Sequence, residues 1–201
     1  MILKVCGITN QEDADVAVNA GANAIGFNFY KKSPRYIAPE QAKLISTPMG
    51  VLRVGVFVNE YRENIEDIRR IVKLQKAQLH GEETLAEFPG GLAYWKAIRV
   101  KDGRLQIPSL DHVPSEALLV DGPAGELYGG AGKTFDWRLV RNEPRRIIVA
   151  GGLDASNVAR AIELARPWGV DACSKIECAP GKKDHQKMKE YLWAARMALQ
   201  T

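Results

Sequence analysis

Cys6 closes a short aliphatic run, Ile2-Leu3-Lys4-Val5, and Gly7 then turns the chain out of it. A thiol at the carboxyl end of a strand, just before a turn into a helix, sits where parallel α/β folds place their chemistry. Position alone leaves a buried structural cysteine equally open. Other residues of chemical use also stand where extended runs end. Arg35 lies in the proline-stiffened stretch Ser33-Pro34-Arg35-Tyr36, His80 follows Ala77 to Leu79, and Asp121 ends Leu118-Leu119-Val120. Gly151-Gly152 follows Arg146 to Ala150, while Asp171, Cys173 and Ser174 lie in or just after the run that starts at Val170.

Each residue type suggests a role. A free thiol ionises near pH 8.5, roughly, so a cysteine base needs positive charge beside it to work near neutrality. Partial burial of Asp121 would favour a retained proton and general-acid work, although a loop-ordering aspartate would look the same. A thiolate and a carboxylic acid on opposite sides of a sugar suit aldose-to-ketose isomerisation. Arg35 can grip a carboxylate through two parallel N–H bonds, or be an ordinary loop arginine. His80 can bond a substrate or simply the backbone. Gly151-Gly152 together with Cys173-Ser174 can cradle a phosphate through backbone N–H groups, though Gly-Gly is also ordinary turn chemistry.

The elements that must position these residues alternate along the chain. Strands are expected at Ile2 to Cys6, Asn23 to Phe29, Val51 to Val58, Ala77 to Leu79, Tyr94 to Val100, Ala117 to Val120, Arg146 to Ala150 and Val170 to Ser174. Thr9 and Glu12, at capping-box spacing, start a first helix over Gln11 to Ala20, and Gly21 stops it. Pro39 opens a second helix through Ile45, and a third from about Tyr61 turns Ile65, Ile68 and Val72 inward. Further helices are expected over Glu82 to Phe88, around Phe135 to Val140, after a cap at Asp154 or Ser156, and from Asp184. The stretch from Lys101 to Pro114 is weakly patterned, with room for a turn of helix. Such alternation implies parallel strands with right-handed crossovers. An open doubly wound sheet would carry a phosphate loop or G-x-G-x-x-G after its first strand, and Cys6-Gly7-Ile8-Thr9 is neither. Eight units favour closure, so the expected fold is a compact (β/α)8 TIM barrel forming a single domain over residues 1–201.

Composition narrows the function classes. A net charge of +4 is mild, and the arginines at 138, 141, 145 and 146 lack the aromatic interleaving of a nucleic-acid surface. A small anionic substrate accounts for that balance. The odd count of three cysteines argues against a disulfide framework, and the three histidines form no ligand pair, so no metal site is expected. The first apolar run is broken by Lys4 and is too short for a leader or a membrane span. The expectation is a cytoplasmic protein, monomeric or homodimeric, with no membrane or nucleic-acid partner.

The run Lys4-Val5-Cys6-Gly7-Ile8-Thr9 resembles the amino-terminal signature of the phosphoribosylanthranilate isomerases of tryptophan biosynthesis. Ser33-Pro34-Arg35-Tyr36, Val54 to Asn59, Gln78-Leu79-His80-Gly81, Gly129 to Trp137, Ala150 to Leu153 and Ala179 to Asp184 resemble that family in the same order. The resemblance spans essentially the whole chain. It implies a cofactor-free Amadori rearrangement of a phosphorylated small molecule, with Cys6 as general base and Asp121 as general acid. It also implies Arg35 on the anthranilate carboxylate, phosphate at the Gly152 turn and the Cys173-Ser174 end, and a mobile loop at Gly129 to Lys133. One stretch departs from the pattern. Where the family usually reads Asp-x-Ser-Ser-Gly-x-Glu, this chain has Asp171-Ala172-Cys173-Ser174-Lys175-Ile176-Glu177. A thiol replaces a hydroxyl and a lysine replaces a glycine, changes that backbone donors can survive. The related histidine-pathway isomerase would imply an aspartate in place of Cys6 and a longer, two-halved chain. A silent metabolite-binding barrel would have no need of both Cys6 and Asp121.

Overall fold

A computed structural model describes residues 1–83, 93–106, 115–122 and 134–200. Its centre is a closed parallel barrel of eight strands. These are β1 (Ile2–Val5), β2 (Ala24–Asn28), β3 (Leu52–Phe57), β4 (Lys76–Leu79), β5 (Ala93–Lys101), β7 (Ser115–Asp121), β8 (Ile147–Val149) and β9 (Gly169–Ala172). Each pairs in parallel with the next, β4 joins β5, and β9 returns to β1 in the register Ile2↔Gly169 through Val5↔Ala172. Outside lie α1 (Gln11–Asn19), α2 (Pro39–Leu44), α3 (Arg62–Val72), α4 (Val158–Ala165) and α5 (His185–Met197).

Strand periodicity sorts the side chains into two cores. One set, including Leu3, Val5, Ile25, Phe27, Leu118, Val120 and Val149, faces outward and packs under the helices with Ile65, Val158, Met188 and Leu192. The alternate set, Ala24, Val54, Trp95, Ala117, Leu119, Ile148 and Ala150, fills the barrel itself. Trp95 is fully buried, meets Trp168 edge-to-face at 6.1 Å, and donates its indole N–H to Glu116 at 3.0 Å. Toward the carboxyl ends of the strands the filling becomes polar, with Lys4, Gln78, Asp121 and Asp171 all buried. That polarity marks the working end of the barrel.

Several helix boundaries differ from the sequence expectation, each for a local reason. The cap of α1 is Asn10, whose side-chain oxygen accepts from the Asp13 N–H at 2.8 Å. Thr9 instead donates its hydroxyl to the Gly181 carbonyl at 2.5 Å, tying the first turn to the chain beyond β9. Neither Asp154 nor Ser156 caps α4. The Asp154 carboxylate accepts from Ser156, and Asn157 occupies the cap position. The segment before β8 holds only a 3₁₀ turn, Trp137–Val140, because Pro144 leaves no length for a longer helix. After β5 the chain makes a hairpin with β6 (Arg104–Leu105), through Asp102 and Gly103 at positive φ, and the rest of the stretch with room for a helical turn, 107–114, lies outside the described residues. Asp-Gly is a strong hairpin signal. The eighth strand stops at Ala172, two residues short of Ser174, and a 3₁₀ turn over Ser174–Ile176 follows it. The chain then forms a small hairpin of β10 (Glu177–Ala179) and β11 (Lys182–Lys183). The expected Glu82 to Phe88 helix falls almost wholly on residues 84–92, and the Gly129 to Lys133 loop on 123–133, both outside the described residues.

Arg53 couples the barrel to its outer layer. Its buried guanidinium donates to the carbonyls of Val72 at 3.0 Å, Ala42 at 2.9 Å and Ile45 at 2.5 Å, satisfying the carboxyl ends of α2 and α3. The same group lies over the Phe27 ring at 4.9 Å. Arg53→Met strands those acceptors and is expected to cost about 2–3 kcal/mol. The check is a urea midpoint at unchanged m-value; a loss below about 0.5 kcal/mol contradicts the assignment.

Candidate active site

The cleft at the carboxyl ends of the strands gathers every residue singled out from sequence: Cys6, Arg35, His80, Asp121, Gly151, Gly152, Asp171, Cys173 and Ser174 all line it. Their elements explain the convergence. Cys6 and Cys173 follow β1 and β9, neighbouring strands, and the Cys6 N–H donates to the Ala172 carbonyl at 2.9 Å. Asp121 ends β7, three strands round from β1 in one direction and five in the other. Gly7 must be glycine: its φ is +73°, and a Cβ there would stand 2.9 Å from Arg35 and 3.1 Å from Cys173. Gly151 is as constrained, with φ +83° and a Cβ position 2.6 Å from the Asp121 carboxylate.

Beneath Cys6 is a residue whose role the sequence pattern did not disclose. Lys4 is wholly buried inside the barrel and donates to Asp171 at 2.8 Å. Burial alone would discharge Lys4, but the carboxylate of Asp171 and the Cys6 sulfur beside it raise its pKa above the ordinary lysine range. The hydrogen bond from the Cys173 thiol pulls the Cys6 thiol well below the usual value. Burial opposes this, and the Lys4 ammonium and Lys183 reinforce it. Cys173 moves the other way, because it donates to Cys6 and is itself buried. Asp171 is pushed up to about 7 by burial and by the negative charge of Cys6 and Asp121, with Lys4 opposing. Near neutrality Asp171 is therefore partly protonated, which leaves more of the Lys4 charge to the thiolate. The sequence signal for Lys4 was a charged residue within an otherwise apolar strand.

Around this centre lies a set of ion pairs. Arg35 binds Glu177 through Nε at 3.0 Å and Nη2 at 2.8 Å, leaving Nη1 outside the pair. Lys183 bonds the same carboxylate at 2.8 Å and lies 3.8 Å from the Cys173 sulfur. Burial would raise Glu177, yet the Arg35 hydrogen bonds and Lys183 outweigh it and hold it below the usual carboxylate range. Asp13 positions Lys183: its carboxylate accepts from the Lys183 N–H at 3.0 Å and from His185 at 2.8 Å. On the opposite side, Gln78 donates to His80 Nδ1 at 2.9 Å, which puts the ring proton on Nε2, 3.6 Å from the Asp121 carboxylate. Lys175 keeps a negative φ within its 3₁₀ turn and lines the cleft, so its replacement of a glycine leaves the turn unstrained. Cys178 is exposed on β10, with its sulfur toward the Lys182 and Lys183 carbonyls.

Among the described residues, no group of three or more His, Cys, Asp or Glu side chains could hold a metal ion, and no helix is long and apolar enough to cross a membrane. What the cleft offers is a thiol kept well below its usual pKa, a carboxyl group 3.6 Å from an imidazole, and cations at its margin.

Comparison with known proteins places this arrangement. The chain is 63% identical over 199 residues, 99% of each protein, to an N-(5'-phosphoribosyl)anthranilate isomerase of Solibacter usitatus. Its fold is similar to the crystal structure of phosphoribosyl anthranilate isomerase from Thermotoga maritima, with TM-score 0.88 and 43% identity, covering 98% of this chain and 100% of that one. It is also similar to a phosphoribosyl anthranilate isomerase solved with reduced 1-(o-carboxyphenylamino)-1-deoxyribulose 5-phosphate. That match has TM-score 0.84 and 40% identity, covering 98% of this chain and 100% of the other. The profile of the N-(5'phosphoribosyl)anthranilate (PRA) isomerase family matches residues 3–194, and the chain belongs to that family of isomerases.

Proposed function

We propose that the protein converts N-(5'-phosphoribosyl)anthranilate to 1-(2-carboxyphenylamino)-1-deoxyribulose 5-phosphate, the isomerase step of tryptophan biosynthesis, without metal or organic cofactor. The observation that carries this reading is Cys6, two residues after the buried Lys4 that pairs with Asp171, in the same cleft as the Asp121 carboxyl. Asp121 protonates the furanose ring oxygen, and the ring opens to a Schiff base. Cys6 then removes the C2′ proton, and the resulting enolamine tautomerises to the ketone. Such general acid–base work contributes about 10²–10⁴-fold per group.

Binding follows from the margins of the cleft. The free edge of Arg35 receives the anthranilate carboxylate, with Glu177 holding the guanidinium in place. The turn at Gly151-Gly152 and the chain at Cys173-Ser174 present backbone donors to the phosphate. His80 Nε2 lies 3.6 Å from Asp121 without a hydrogen-bond partner and bonds the sugar, and Asp171 keeps a buried oxygen without a hydrogen-bond partner available for a sugar hydroxyl. The protein works in the cytoplasm, as a monomer or a homodimer.

Loss of anthranilate-substrate fluorescence on adding the protein tests the activity, and no turnover contradicts it. Cys6→Ala and Asp121→Asn are each expected to lower kcat by at least about 10²-fold, and near-normal turnover removes that residue from the chemistry. Arg35→Ala is expected to raise KM about tenfold or more while kcat changes less; an unaltered KM contradicts the carboxylate contact. Lys4→Met is expected to move the pH midpoint for alkylation of Cys6 upward by about one unit, since Asp171 can take a proton in its absence. Peptide mass mapping of the alkylated protein reads that midpoint, and an unmoved value contradicts the role of Lys4.

A further inference from the structure

Cys173 is a thiol in a place where a hydroxyl would serve a phosphate, and its surroundings point to a different use. The β1–β9 register ends at Val5↔Ala172, so Cys6 and Cys173 form the next pair across the two strands. Two residues earlier, Lys4 and Asp171 stand in the same relation and their side chains meet at 2.8 Å inside the barrel. Because side chains alternate along a strand, the two cysteines project to that same inner face. Neighbouring strands lie about 4.8 Å apart, within the Cα separation of about 4.4–6.8 Å that a disulfide spans. Both thiols line the open cleft.

We propose that Cys6 and Cys173 are a modification site: a reversible disulfide, formed by a hydroperoxide and broken by a dithiol, that switches the enzyme off. The Cys6 thiolate attacks the terminal peroxide oxygen, the O–O bond breaks, and the product is a sulfenic acid plus hydroxide or alkoxide. Cys173 sulfur then attacks the sulfenic sulfur, the S–O bond breaks, and the hydroxyl leaves as water with the Cys173 proton. Two electrons pass from the thiols to the peroxide. Both components of a sensor are present: a nucleophile kept as thiolate among Lys4, Lys183 and Arg35, and a protonated resolving thiol beside it. The loss of activity rests on the reading of Cys6 as the general base, since a sulfur in a disulfide accepts no proton from C2′. The disulfide itself does not depend on that reading.

The test uses the full chain carrying Cys178→Ser, which removes an exposed thiol outside the cleft and prevents cross-linking between molecules. The protein is treated with hydrogen peroxide, alkylated, and followed by intact mass, peptide mapping and turnover. The expected result is a mass lower by about 2 Da before alkylation, no alkylation at Cys6 or Cys173, at least ~10²-fold lower turnover, and full recovery in dithiothreitol. Recovery distinguishes the switch from unfolding. With Cys173→Ser added, Cys6 is expected to gain about 32 Da as sulfinic acid, and dithiothreitol no longer reverses it. Oxygen added at Cys6 while Cys173 still alkylates overturns the disulfide and leaves the base assignment standing. A disulfide that forms without loss of turnover overturns the switch and the base assignment together.

Discussion

The site depends on one ammonium group placed inside the barrel. A buried, unpaired Lys4 would be strongly destabilising, so its neighbours must supply negative charge and hydrogen-bond acceptors. Two are present, Asp171 on the adjacent strand and the sulfur of Cys6. They compete for the same charge. Burial pushes Asp171 up to about 7 against the opposing pull of Lys4, while the Cys6 thiol is held well below its usual value. The lowered Cys6 thiol thus follows first from the Cys173 hydrogen bond and then from where the lysine sits, two residues back on the same face of β1.

The surrounding framework keeps that arrangement in register. Asp13 on the first turn of α1 holds the backbone of Lys183, and Thr9 holds the Gly181 carbonyl, so the short β10–β11 hairpin is anchored to the chain that follows Cys6. Lys183 and Arg35 then share Glu177, bringing two more cations near the sulfur atoms while the carboxylate offsets their mutual repulsion. The opposite wall is built on different terms. Asp121 faces the His80 imidazole, which Gln78 bonds at Nδ1, and Gly151 supplies the space its carboxylate needs. The two walls therefore contrast, with cations gathered around Cys6, the proposed base, and an imidazole and a glycine flanking Asp121, the proposed acid. That contrast is what a paired acid and base require.

Much of this was legible in the residues because strand ends in a parallel barrel converge whatever their distance in sequence. Cys6, His80, Asp121 and Asp171 could be placed on one rim from the alternation of strand and helix alone. The hidden parts are those fixed by pairing across the sheet. Lys4 reads as an interruption of an apolar strand until β9 brings Asp171 beside it. The sequence shows Glu177 only as the last residue of the Asp171 to Glu177 stretch, and its bond to Lys183, like that of Asp13, arises from the hairpin that follows. The α1 cap moved from Thr9 to Asn10 because the Thr9 hydroxyl is committed to a residue far along the chain, a tertiary contact that local spacing does not encode. The Asp102-Gly103 turn was available as a hairpin signal and its meaning was missed.

The central proposal is that Cys6 works as a thiolate base near neutral pH because the Cys173 thiol and the buried Lys4 together stabilise its anion. The dependence of kcat/KM on pH for the anthranilate substrate measures this in the free enzyme. The account predicts a limb that rises with pH through a midpoint well below the ordinary thiol value of about 8.5, and that is absent from Cys6→Ser. A rising limb at or above about 8.5, or one that persists unchanged in Cys6→Ser, would contradict it.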